Sequence, residues 1–185
     1  VFKRTDLKTK NLIPAVFSNV SKAVLCTNIE NEFGVSVSTI EHLMGAVYGE
    51  EIDNLLVQIN SSEVPAMDGS AKEFVSKIRK TGTKNYDTLR RFIKVLKKCE
   101  LVKDKKFITI EPYENDLKVD FEIIYNNLLI GKQRKSVSLY NDDLDSVYNS
   151  RTFCLFEDID KIKQQGLGKG GSLENAVVVK GNKIV

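Results

Sequence analysis

Leu117, Val119, Phe121, Ile123 and Tyr125 recur at every second position. Only an extended strand places all five on one face, because side chains alternate across a pleated backbone while a helix repeats every 3.6 residues. The stretch is therefore expected to be a half-buried strand. A different period governs Ile40, Leu43, Met44 and Val47, spaced i, i+3, i+4 and i+7. That spacing predicts a helix from about Thr39 to Tyr48 with one apolar face. Two periods in one chain predict an α+β protein, built from sheets layered on helices.

Further elements follow the same logic. Residues 35–38 read as a strand end, and Leu55, Val57 and Ile59 as another strand. Pro65 to Gly69 is a turn. Ser70 then reads as an N-cap, with Glu73 as its capping-box partner, opening a helix that buries Phe74, Val75 and Ile78. Thr81 to Asp87 is polar and aperiodic, so a domain boundary is expected there, dividing the chain into 1–86 and 87–185. Beyond it, Leu89, Phe92, Ile93 and Leu96 form a helical stripe, with a strand start at Phe92 as the alternative. Phe107–Ile110 and the stretch around Val137 and Leu139 read as strands. Asp158–Gln165 reads as a short helix closed by Gly166. Residues 175–180, Gly181-Asn182 and 183–185 read as a hairpin.

Composition narrows the function class. With 42% hydrophobic and 29% charged residues in a chain of 185, a packed core is expected and disorder is not. No apolar run approaches the ~20 residues of a membrane helix. The first residues show no leader-like apolar segment. The chain lacks an initiating Met and has Val at both ends, so truncation at both ends is expected. Cys26, Cys99 and Cys154 are odd in number and far apart, which fits neither a disulfide framework nor a cysteine metal site. A cytoplasmic setting is expected. Net charge is +3, yet residues 79–106 hold eleven Lys or Arg against three Asp or Glu. Such a segment is either a solvated surface or a face for nucleic acid, membrane or phosphate.

His42 is the only histidine. On the expected helix it lies off the apolar stripe, beside Glu41 and near Gly45 and Gly49. Neighbouring helical residues are ~100° apart, so Glu41 and His42 cannot stack, but they can converge on one ligand before the first turn. A histidine can ligate zinc while an adjacent carboxylate takes a proton from water. A surface Glu-His pair without function is the competing reading, since zinc needs about three protein ligands. The glycine-rich run from Gly166 to Ser172 does not fit the phosphate-loop pattern, because Lys169 is not followed by Ser or Thr. Thr152 offers a hydroxyl that can polarise a carbonyl, or serves structure alone.

Taken together, Ser38-Thr39-Ile40-Glu41-His42-Leu43, Ile52-Asp53-Asn54 and Pro65-Ala66-Met67-Asp68-Gly69-Ser70-Ala71 resemble the UDP-3-O-acyl-N-acetylglucosamine deacetylase family of Gram-negative lipid A synthesis. Arg4-Thr5-Asp6-Leu7, Leu25-Cys26-Thr27, Arg151-Thr152-Phe153 and Gly170-Gly171-Ser172 follow in the family's order. The resemblance implies two domains, each a β-sheet on helices, with the active site between them. It implies Glu41 as general base, His42 as a Zn2+ ligand and Thr152 as the hydroxyl that polarises the substrate carbonyl. It places Leu25, Cys26, Phe153, Ile159 and Gly171 near the sugar or acyl chain. It implies a monomer acting on UDP-3-O-acyl-N-acetylglucosamine, with no nucleic-acid partner. The family's remaining zinc ligands, a His and an Asp, and its general-acid His have no counterpart in these residues. Cys154 stands where the family has Gly, and Gly168-Lys169 where it has apolar residues. The chain alone is therefore expected to lack a complete zinc site. A non-catalytic nucleotide-sugar-binding module and a basic nucleic-acid-binding domain are the competing readings.

Overall fold

The computed structural model describes residues 1–114, 116–164, 168 and 170–185. Gly166, expected to close a helix, lies outside the described residues. Helices and several small sheets coexist, so the chain is α+β. Its strands and helices run, in chain order, β1 (Phe2–Arg4), β2 (Leu12–Ile13), β3 (Val20–Val24), β4 (Cys26–Glu30), β5 (Ser36–Ser38), α1 (Glu41–Gly49), β6 (Val57–Ile59) and α2 (Lys72–Thr81). Then follow β7 (Cys99–Lys103), β8 (Lys106–Ile110), β9 (Lys118–Ile124), β10 (Lys132–Ser138), α3 (Asp145–Tyr148), β11 (Phe153–Leu155), α4 (Ile159–Gln164), β12 (Val177–Lys180) and β13 (Lys183–Ile184). Contacts divide the chain into two compact units. Val1–Thr83 group with Asp145–Val185, and Lys84–Leu144 form the second unit. By this division the chain leaves the first unit after Thr83 and returns to it at Asp145.

The first unit holds the core. Phe2, Ile13, Ile29, Val37, Ile40, Leu43, Val47 and Val64 form one buried cluster. They come from β1 and β2 of the sheet β2-β1-β6, from β4 and β5 of the meander β3-β4-β5, from Ile40 and the apolar face of α1, and from Val64 beyond β6. Phe2 lies opposite Ile13 across an antiparallel pair and opposite Val57 across a parallel one. Burying each such side chain contributes about 1.5–3 kcal/mol. Arg4 joins the two sheets: its Nη1 donates to the Ser36 carbonyl at 2.9 Å, while Nε and Nη2 donate to the Asp6 carboxylate at 2.8 and 2.6 Å. A third sheet, β11-β12-β13, buries Val178 and Val179 on its central strand.

Helix α1 begins two residues later than its apolar spacing predicts. Thr39 sits at φ 59°, a left-handed conformation that a β-branched residue rarely adopts. It is held there from two sides. Its N–H donates to the Thr27 carbonyl at 3.1 Å and its hydroxyl to Glu63 Oε1 at 3.1 Å. The helix cannot include a residue so fixed.

The start of α2 also differs from expectation. Ala71, not Ser70, occupies the N-cap, and no side chain caps it. Ser70 is fully buried; its hydroxyl donates to Asp68 Oδ1 at 2.7 Å and accepts the Lys72 N–H at 3.2 Å. Of the three expected core residues, Val75 is buried while Phe74 and Ile78 are half-buried.

In the second unit two antiparallel hairpins form, β7-β8 and β9-β10. The strand expected from the Leu117–Tyr125 alternation exists, but its apolar face is not buried: Val119 and Phe121 are 45% and 65% exposed. The helix expected at Leu89–Leu96 is absent, and so is a strand at Phe92. Leu89 and Ile93 are 94% and 97% exposed, so the stripe has no surface to bury against. A helix this short is marginal without such burial.

Candidate functional site

Two groups of sequence-flagged residues form in the first unit. The first surrounds Thr27. The β3–β4 hairpin turns at Leu25, which is 69% exposed and left-handed at φ 63°. Cys26 and Thr27 open β4. The Thr27 N–H donates to Glu41 Oε1, and the Thr27 carbonyl receives the Thr39 N–H at 3.1 Å. Both ends of the Thr39–Glu41 corner are therefore fastened to one strand residue. Glu41 is exposed at the start of α1, with Oε1 taken by the backbone and Oε2 left for a second partner. His42 is half-buried beside it.

The second group surrounds Thr152. Its N–H donates to the Gly69 carbonyl at 2.9 Å, and its carbonyl accepts the Val177 N–H at 2.9 Å. Arg151 Nε donates to the Asp68 carbonyl at 2.8 Å, and Nη2 donates to the Glu174 carbonyl. Phe153 pairs with Val177 in a parallel ladder. Thr152 is thus located by its main chain, and its side chain is exposed. Gly171 donates its N–H to the Gly168 carbonyl at 2.9 Å, and Ile159 opens α4.

One segment touches both groups. Ser38 bridges Glu63 in parallel, the Val64 N–H donates to the Ser38 carbonyl at 3.1 Å, and Glu63 accepts the Thr39 hydroxyl. A few residues on, Asp68 and Gly69 hold Arg151 and Thr152. The turn Pro65–Ser70 is therefore the structural link between Glu41-His42 and Thr152. Sequence reasoning named this motif but not its role. The positive φ values at Met67, 51°, and Gly69, 82°, mark the turn.

The turn also carries a charge. The Ser70 hydroxyl, followed by the Ser70 N–H and the nearby Arg151, holds the Asp68 carboxyl below its ordinary value of 3.8, against the opposing effect of burial. A carboxyl whose pKa is lowered on folding stabilises above its unfolded pKa, and that stability is lost as pH falls through the folded value. Ser70→Ala is expected to cost about 1–2 kcal/mol by stripping a buried hydrogen bond. It is also expected to return Asp68 toward 3.8, so the acid-unfolding midpoint followed by circular dichroism moves to higher pH.

Among the described residues no group of three or more His, Cys, Asp or Glu is placed to hold a metal ion. His42 is the only histidine in the sequence. Cys26, Cys99 and Cys154 are all unpaired. Burial, then the charge of Asp158, pushes the Cys154 thiol up, which makes it a poor nucleophile and ligand. In the basic stretch, Lys84 lies over the Tyr86 ring at 5.4 Å and Arg90 over Phe92 at 5.6 Å. No helix among the described residues is long and apolar enough to cross a membrane.

Comparison with known proteins places these residues in context. The family model described as LpxC: UDP-3-O-acyl N-acetylglycosamine deacetylase matches residues 1–185. Proteins named UDP-3-O-acyl-N-acetylglucosamine deacetylase are similar to the whole chain. The one from Mannheimia succiniciproducens is 35% identical, and that from Actinobacillus succinogenes 36%; the chain covers 61% of each. The one from a Psychrobacter species is 36% identical, with 62% of its length covered. The chain thus spans about three fifths of the length of these relatives.

Proposed function

The chain belongs to the UDP-3-O-acyl N-acetylglycosamine deacetylase family, and from that membership we propose that it forms part of an enzyme removing the N-acetyl group of UDP-3-O-acyl-N-acetylglucosamine in lipid A biosynthesis. The observation that carries the reading is the Thr39–Glu41 corner. Two backbone bonds to Thr27 and a strained Thr39 hold an exposed carboxylate at a helix start beside the chain's single imidazole. Strain of this kind, of order 1–3 kcal/mol, persists where the surroundings over-determine it and concentrates at functional sites.

In this reading zinc is the metal, and it supplies Lewis-acid activation of water and of the amide carbonyl when bound. His42 is the one ligand this chain contributes. The described residues do not assemble the rest. Glu41 Oε2 takes a proton from the attacking water as the carbon–oxygen bond forms. The Thr152 hydroxyl donates a hydrogen bond to the amide oxygen as negative charge develops there. The proton that Glu41 accepted passes to the amide nitrogen as the carbon–nitrogen bond breaks, releasing acetate and the free amino sugar, which exchanges protons with solvent. Leu25, Cys26, Phe153, Ile159 and Gly171 are assigned to the sugar and acyl chain. The reading further takes the enzyme to be a cytoplasmic monomer of a Gram-negative bacterium, with no nucleic-acid partner.

The test is acetate release from UDP-3-O-acyl-N-acetylglucosamine by the full-length protein that contains this chain. Turnover is expected, abolished by a chelator and restored by zinc. Absence of turnover with zinc supplied overturns the proposal. The 185-residue chain alone is expected to retain less than one zinc per molecule after dialysis. Tight stoichiometric zinc, measured by elemental analysis, would show that these residues complete a metal site.

A further inference from the structure

The end of α1 remote from Glu41 and His42 is fastened as tightly as its start. Glu50 follows the helix directly. Arg79, in the last turn of α2, donates from Nε to both Glu50 oxygens at 3.1 and 3.0 Å and from Nη2 to Oε1 at 2.9 Å. Its Nη1 donates to Asp145 Oδ1 at 3.2 Å, at the first residue of α3. The same guanidinium lies over the ring of Tyr148, the last residue of α3, at 5.6 Å. Tyr148 is 5% exposed, and its hydroxyl donates to Glu50. The ring reaches the backbone of α1 itself: a Cβ on Gly49 would stand 2.1 Å from the Tyr148 hydroxyl oxygen. One arginine therefore gathers three helices.

Its placement relative to the site gives this node a function. Helix α1 begins with Glu41 and His42. Helix α3 is followed after a short connection by Arg151 and Thr152. Helix α2 leads away from Asp68 and Gly69, whose carbonyls hold those two residues. The stretch from Asp145 to Thr152 is thus pinned at both of its ends to the two ends of one strut, α2. The strut's far end also grips α1. The Arg79–Asp145 pair, with side chains 52% and 58% exposed, contributes little to stability, while the Glu50 side chain in the other arm is 15% exposed. Bidentate geometry and the stacked ring fix direction.

We propose that the Arg79–Glu50–Asp145–Tyr148 node sets the position of α1, and with it Glu41 and His42, relative to the Thr152 segment, so that Arg79 is a positioning residue for amide hydrolysis. The assignment rests on the deacetylase reading above. Burial, then the charge of Glu50, pushes the Tyr148 phenol up to about 12, as expected for a ring enclosed by this node. A phenol raised on folding adds stability that is complete below its unfolded pKa and lost as pH rises through the folded value.

The experiment compares Arg79→Met, Arg79→Lys and, as a control on the same helix, Lys77→Met in the full-length protein. Melting temperature is measured alongside kcat and KM. Arg79→Met is expected to lower kcat by about tenfold while KM stays within roughly twofold, because small misplacements of reacting groups act on the transition state. Arg79→Lys is expected to recover part of the loss, and Lys77→Met none of it to lose. A folded Arg79→Met enzyme with unchanged kcat overturns the proposal. So does a loss of activity that merely follows the unfolded fraction. A wild-type protein inert toward the acetylated sugar nucleotide overturns the deacetylase reading and takes this role with it. A double-mutant cycle of Arg79→Met with Glu50→Gln, read on melting temperature, tests the node without activity; strict additivity would dissolve it.

Discussion

Gly69→Ala is expected to be the most damaging small substitution in the chain. The residue has φ 82°, and a Cβ there would stand 1.7 Å from the Asn175 carbonyl oxygen and 2.7 Å from its carbon. The obstacle is backbone, which cannot rotate aside as a side chain can. The same backbone belongs to the segment whose Val177 N–H bonds the Thr152 carbonyl, while the Gly69 carbonyl accepts the Thr152 N–H. Relieving the clash therefore pulls Thr152 from its place. A loss of at least about 3 kcal/mol is expected from strain and overpacking together. In a protein of this size that lowers the melting temperature by roughly 6–12 °C. Gly34→Ala provides the control. Its φ is 77°, but nothing lies within 4 Å of the new methyl group. It should show only the left-handed penalty of about 1–2 kcal/mol. Equal melting temperatures for the two variants would show that the Gly69–Asn175 approach carries no weight.

The second large effect is chemical. Glu41→Gln in the full-length protein is expected to lower kcat by about 10²–10⁴-fold, the usual contribution of a positioned general base. KM should stay within roughly threefold, since in the proposed role the carboxylate acts on water rather than on the sugar. The fold is expected to survive. Glutamine keeps an oxygen to accept the Thr27 N–H, and the side chain is exposed, where substitutions shift stability by about ±0.5 kcal/mol. Thr152→Val should show a smaller loss, about 10–10³-fold, again in kcat, because one hydrogen-bond donor to the developing charge disappears. Its effect on stability should be slight, since main-chain bonds anchor the residue. Near-normal turnover by Glu41→Gln would remove the base assignment while leaving the family assignment intact.

The tie between these two predictions is the Pro65–Ser70 turn. Glu63 and Val64 connect to the corner that presents Glu41, while Asp68 accepts from Arg151 and Gly69 from Thr152. The motif carries no side chain assigned to the chemistry. Its value is geometric: a left-handed Met67, a left-handed Gly69 and a fully buried Ser70 let one short turn serve both groups. Arg79 acts at the other end of the helix that the turn opens.

Local patterns in the sequence were enough for the mixed α+β character, the α1 stripe of Ile40, Leu43 and Val47, and the strands β8, β9 and β12. Periodicity reports which face a segment can bury; α1 follows it, whereas β8 and β9 form as strands with most of their apolar side chains left exposed. The Glu41-His42 pair and the motifs flanking it stand out in the sequence by residue type and spacing, and the structure places the pair at the start of α1 with Glu41 exposed and His42 half-buried. Tertiary structure decided the rest. It placed Thr39 in a left-handed conformation through bonds to Thr27 and Glu63, which no propensity encodes, and so moved the helix start. It left Leu89 to Leu96 without a helix and the face of β9 uncovered, because a stripe becomes structure only where a partner surface buries it. It returned Asp145–Val185 to the first unit, and it brought Arg79 to Glu50, Asp145 and Tyr148 across sequence gaps of 29 to 69 residues. Contacts at such separation depend on the whole chain's packing, and no local window of sequence contains them.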